Sequence, residues 1–135
     1  RITLYQKAVS DKNGVTEFYS NFDTGMSTIF TDINLETRDN SYLVDVINFY
    51  DFIIENNLEK INYLKVDCEG AEYGIFESMP NEYLKNNIDK LVVEFHHRLD
   101  DFKVQNLINK LKQCGFELNI KYEENSTIGL IYGKK

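Results

Sequence analysis

The stretch Leu64-Lys65-Val66-Asp67-Cys68-Glu69-Gly70-Ala71-Glu72, preceded by Ile61-Asn62-Tyr63, decides the fold. Residues 61–66 are short and apolar enough for a buried strand, and Ala71, Ile75, Phe76 and Met79 then follow helical spacing until Pro80 stops the run. A strand that passes into a helix through a charged turn is the unit of an α/β sheet. In open sheets of that kind ligands bind beyond the carboxyl ends of the strands. The strand period of two places Lys65 and Asp67 on one face, so both reach the mouth of the sheet together. Gly70 lets backbone or ligand come close where the helix begins.

A second strand ends in charge as well. Residues 91–95 form the most apolar run of the chain and lead into Glu94-Phe95-His96-His97. Glu94 and His96 share one face; Val93, Phe95 and His97 share the other. If the two strands are neighbours, Asp67, Glu69, Glu94 and His96 meet at one rim, where they could act as a general base, a cofactor anchor or an oxygen-rich metal site. A plain structural reading stands beside this one. Lys65 and Asp67 would be a salt bridge at a strand end, and Glu69 and Glu72 ordinary acidic residues at a helix N-terminus. Cys68 reads as a small buried hydrophobe and Lys134-Lys135 as a solvated tail.

Working outward, residues 2–9 predict a strand, Asp11-Lys12-Asn13-Gly14 a tight turn, and residues 15–19 the return arm of a hairpin. Residues 21–41 are polar and read as a long loop, a length that often marks a lid or binding loop. A strand over 42–47 and a helix over 48–57 follow. Val104, Leu107, Ile108 and Leu111 mark an amphipathic helix that Asp100 or Asp101 caps and Gly115 ends. Residues 116–122 and 127–132 close the chain as two strands joined by Glu123-Glu124-Asn125-Ser126. The order predicts one α/β unit with at least one antiparallel edge.

Composition excludes several classes. The 135 residues carry a net charge of −7, with 42% hydrophobic and 13% aromatic residues, enough for a real core in one domain. An isoelectric point near 4.8 argues against a nucleic-acid or membrane-surface partner. Cys68 and Cys114 match no zinc or redox spacing, so the composition reads as intracellular, and a cytoplasmic location is expected. No apolar stretch is long enough to span a bilayer, and without a basic-then-apolar pattern in the first residues no signal peptide is expected there. The chain opens at Arg1 directly into a strand-like segment, which reads as a piece of something longer.

The nine residues quoted first closely resemble the signature of the FkbM-type S-adenosylmethionine-dependent methyltransferases. Other blocks match in order. Lys7 to Gly14 with Glu17-Phe18-Tyr19 resembles the family's strand, Ser-Asp turn and hairpin. Asp45 to Asp51 resembles its next strand and helix start, and Leu91-Val92-Val93-Glu94-Phe95-His96 its Glu-x-His strand. The resemblance extends to about residue 122.

The resemblance implies a Rossmann-like three-layer α/β/α sandwich with a mostly parallel sheet and an antiparallel C-terminal edge. It implies methyl transfer from S-adenosylmethionine to a hydroxyl oxygen, often on a sugar or natural product. By position, Ser10 and Asp11 would lie near the adenine end of the cofactor. Asp67 would stand near methyl donor and acceptor, and His96 would face the acceptor pocket. One departure is large. The family's glycine-rich cofactor turn and ribose-binding acid precede its Ser-Asp block, whereas only residues 1–6 precede it here and no Gly-x-Gly occurs. The chain therefore reads as the C-terminal portion of the domain, without the strands of the cofactor turn, and is expected to bind cofactor poorly alone and to self-associate through uncovered apolar surface.

Methyl transfer to oxygen requires an acceptor in line with the methyl carbon and a base for its proton. His96 or Asp67 is the expected base, with Glu69 orienting the acceptor and Lys65 tuning Asp67. Alternatively Mg²⁺ held by Asp67 with Glu69 or His96 lowers the hydroxyl pKa. A second class of reading is a non-catalytic α/β interaction module derived from a methyltransferase core. A hydrolase or nucleotide-binding domain is disfavoured by the lack of Gly-x-Ser-x-Gly and of a P-loop.

Overall fold

Twelve elements follow one another in a computed structural model that describes residues 2–20, 27–28, 40–96, 101–122 and 127–135. They are β1 (Ala8–Ser10), β2 (Gly14–Ser20), β3 (Ser27–Thr28), β4 (Asn40–Asn48), α1 (Phe49–Glu55), β5 (Leu64–Val66), α2 (Glu72–Ser78), α3 (Asn81–Asn87), β6 (Lys90–His96), α4 (Asp101–Gln113), β7 (Glu117–Tyr122) and β8 (Ile128–Lys134). Strand and helix alternate through the middle of the chain, as an α/β unit requires. The strands form two four-stranded sheets, ordered β1-β4-β2-β3 and β5-β6-β8-β7, where the sequence predicts one.

The second sheet follows the hydrophobic pattern. β5 runs parallel to β6, while β8 is antiparallel to both β6 and β7, which gives the expected antiparallel C-terminal edge. Leu91, Val93 and Phe95 are buried on one face together with Val66, Ile75 and Phe76 from β5 and α2. Val104, Leu107, Ile108 and Leu111 of α4 join the same core. Fully burying such side chains contributes about 1.5–3 kcal/mol each. Phe95 lies across Gly129 so closely that a Cβ there would stand 2.2 Å from the ring, so only glycine fits opposite it. The other face is exposed at Lys65 and Tyr132 and becomes buried toward His96.

The first sheet corrects the hairpin expectation. β2 does not return along β1; β4 lies between them, parallel to β1 and antiparallel to β2. The strand expected over residues 2–9 shrinks to Ala8–Ser10, because Ile2 and Leu4 are 94% and 90% exposed and so have no core to pack on. Tyr5 instead sets its ring edge-on to Phe52 of α1, and its hydroxyl donates to Asn56. The turn between β1 and β2 is tied to the start of α1. Asn48 caps α1 by accepting from the Tyr50 and Asp51 N–H groups, and its amide donates to the Asp11 carbonyl. Most of the loop predicted over residues 21–41, the turn at 123–126, His97, Asp100 and the Asp101 side chain lie outside the described residues.

Helix α3 is absent from the sequence reading. Only Tyr83 and Leu84 are apolar within it, too few to show a helical period. Pro80 both ends the run of α2 and leads into α3, and Leu84 is fully buried. The Lys135 ammonium donates to the Leu84 and Lys85 carbonyls and sits 4.3 Å above the Phe116 ring. Lys134 belongs to β8, so the solvated tail expected at the chain's end is instead a strand end and a helix cap.

Candidate functional site

Parallel pairing of β5 with β6, in the register Lys65↔Val92 and Val66↔Val93, brings the two charged strand ends side by side. Glu69 and Glu94 gather on His96 there, and Asp67 lies close enough to Glu94 to act on its charge. His96 is nearly enclosed, its side chain only 3% exposed, while Glu69 and Glu94 are partly open to solvent. Its Nε2 faces outward to Glu69 Oε2 at 3.3 Å and Glu94 Oε1 at 3.8 Å. Its Nδ1 faces inward to Glu72 Oε1 at 3.2 Å.

Glu72, fully buried on the first turn of α2, holds this arrangement together. One carboxylate oxygen accepts from the Gly70 N–H and the other from the His96 N–H, both at 2.8 Å. Tyr73 adds a third tie, donating from its hydroxyl to the His96 carbonyl. The chain can turn this tightly because Gly70 adopts φ 108°. Glu69 just before it sits at φ 49°, a left-handed conformation that costs a non-glycine residue about 1 kcal/mol or more. Such outliers concentrate at functional sites.

Charge follows from the packing. Hydrogen bonding to Glu72 raises the His96 pKa above its ordinary value against the opposing effect of burial, and Glu72, Glu69 and Glu94 add to the rise electrostatically. The Glu94 pKa is raised by burial first and by Asp67 and Glu69 next. Lys65 donates to Asp67 at 2.9 Å, and the pair is largely solvated. Cys68 is partly buried and its thiol pKa is pushed up, as a small hydrophobe's would be.

Ser10 and Asp11 lie elsewhere. Ser10 is buried and its hydroxyl donates to the Asp11 carboxylate. Both line a cavity of about 840 Å³ with Gly70, Tyr73 and Lys110, a volume within the range of small-molecule sites. Asp67, Glu94 and His96 are not part of that lining, so the catalytic and cofactor expectations map to two neighbouring places. Glu72, by type and place an ordinary acidic residue at a helix N-terminus, is instead fully buried. Its position three, four and seven residues before Ile75, Phe76 and Met79 was the available signal, since that spacing puts Glu72 on the buried face.

A family model described as the methyltransferase FkbM domain matches residues 1–118. The chain belongs to the FkbM methyltransferase domain family. No curated protein and no solved structure matches it. The membership makes methyltransferase the activity class, and the family generally uses S-adenosylmethionine. The fit of this FkbM domain to that cofactor is partial. Ser10 and Asp11 present polar groups to a cavity of suitable size, yet Asp67 lies outside it. The Mg²⁺ expectation finds no support, because no three His, Cys, Asp or Glu side chains among the described residues converge as a metal requires. Among those residues, no helix is long and apolar enough to cross a membrane.

Proposed function

We propose that this chain carries the acceptor side of an S-adenosylmethionine-dependent O-methyltransferase acting on a hydroxyl of a sugar or natural product. The observation that carries the reading is the convergence of Glu69 and Glu94 on a buried His96, with Asp67 near enough to Glu94 to raise its pKa. S-adenosylmethionine supplies the methyl group when bound. Asp67 is solvated enough to meet an acceptor hydroxyl and takes its proton, held in place by Lys65. Glu69 orients the acceptor. The carboxylates around His96, Glu72 first, favour its protonated form.

The chain is read as the C-terminal portion of a methyltransferase domain, the grip on the cofactor coming from residues beyond those described. Val15 and Leu43, exposed on one face of the first sheet, support self-association of the isolated chain. The two free cysteines fit a reducing compartment such as the cytoplasm.

Calorimetric titration of S-adenosylmethionine into the full-length protein tests the reading. Binding there, with weak or no binding to this chain, is expected; no binding to either favours a non-catalytic interaction module. In the binding protein, Asp67→Asn is expected to lower methyl transfer about a hundredfold or more. Full activity of both Asp67→Asn and His96→Ala removes the acid-base assignment.

A further inference from the structure

The carboxylate of Glu72 does more than close a helix turn. It lies wholly inside the protein, accepts the His96 backbone N–H, and stands 3.2 Å from the His96 Nδ1. A buried carboxylate at that distance is acceptor only, so it selects the ring form with a proton on Nδ1. The other ring nitrogen, Nε2, is buried without a hydrogen-bond partner among the described residues, although it is aimed at Glu69 and Glu94. A purely structural clamp would require only the two backbone ties to His96.

We propose that Glu72 is the positioning residue of the site: it locks the His96 imidazole in its Nδ1–H form, so that Nε2 alone addresses the rim where the acceptor hydroxyl is bound. This deepens the methyltransferase reading and rests on it for the identity of the acceptor, while the state of the ring does not. Among the described residues, the titratable groups facing the imidazole are Glu72 from α2, Glu69 from the preceding turn and Glu94 from β6. The β8 position opposite His96 is Ile128, which carries no charge.

Nitrogen-15 spectra of the imidazoles, followed through a pH titration, test the proposal without any cofactor. In the wild-type chain the neutral His96 ring is expected to carry its proton on Nδ1. Glu72→Gln, which keeps the volume, is expected to lower the proton affinity of the ring about tenfold or more and to populate the Nε2–H form. Tyr73→Phe removes a backbone tie to the same residue and is expected to leave the ring spectrum unchanged. A wild-type ring protonated on Nε2 overturns the proposal even if Glu72→Gln fails to fold. An unaltered ring spectrum in folded Glu72→Gln overturns it as well. Cofactor binding and methyl transfer are separate measurements, so loss of the enzymatic reading leaves these results standing.

Discussion

Asp11 lies across Gly74 so closely that a Cβ built on the glycine stands 3.1 Å from the Asp11 Cγ. One residue follows β1 in the first sheet and the other is in the middle of α2, which packs on the second. The contact fixes how near the two sheets' elements come to one another. Gly74→Ala should gain helix propensity of about 1 kcal/mol but lose more to the clash, for a net cost of about 1 kcal/mol. In an Asp11→Gly background the clash is gone and the same substitution should stabilise. Urea denaturation of the four proteins of this cycle measures the coupling, and additive effects would show that the contact has no energetic weight.

Asn48 works through both of its side-chain atoms. The carbonyl oxygen caps α1 and the amide holds the Asp11 carbonyl at 2.6 Å. Asn48→Ala should therefore cost about 1–2 kcal/mol, the range of a lost N-cap. Asn48→Asp retains the capping oxygen and loses the donor, and is expected to fall between. Equal stability of all three proteins in chemical denaturation would contradict this account.

Lys135 stabilises a helix it does not belong to. Its ammonium satisfies carbonyls at the end of α3, and burial lowers its pKa. Lys135→Met keeps the apolar stem over Phe116 and removes only the charge. A loss of about 1–2 kcal/mol is expected, with faster amide exchange along α3 than elsewhere. Unchanged exchange in α3 would assign the residue to solvent.

The parts of the fold legible in the sequence are those where one residue pattern had one structural solution. β6 and α4 follow the apolar spacing within a residue or two, β5 keeps only the last three residues of the strand expected over 61–66, and the meeting of the two charged strand ends follows from alternation once β5 and β6 pair. The failures share a different cause. β4 separates β1 from β2, a long-range pairing that local turn chemistry at Asp11 to Gly14 cannot report. Helix α3 depends on Pro80 and a distant lysine rather than on its own apolar face. Glu72 was hidden because acidic residues at helix starts are usually solvated; only its place in line with Ile75 and Phe76 gave it away.

The same residue sets a pH dependence of folding. The folded pKa of His96 lies above its ordinary value of about 6.5, chiefly because Glu72 accepts from the ring. The native state therefore binds more protons than the unfolded chain between that ordinary value and the raised one, so stability falls as pH rises through this window. The contribution is fully present below about pH 6.5 and lost above the folded pKa. Glu94, raised by burial from an ordinary value near 4.5, acts in the same direction at lower pH, since its ionised form is the less favoured one in the folded chain. Urea midpoints measured from pH 5 upward should thus decline through the histidine window. His96→Gln is expected to be less stable at low pH and to flatten that decline, because the proton that Glu72 favours is no longer there to lose. A decline of equal slope in His96→Gln would place its origin in another group.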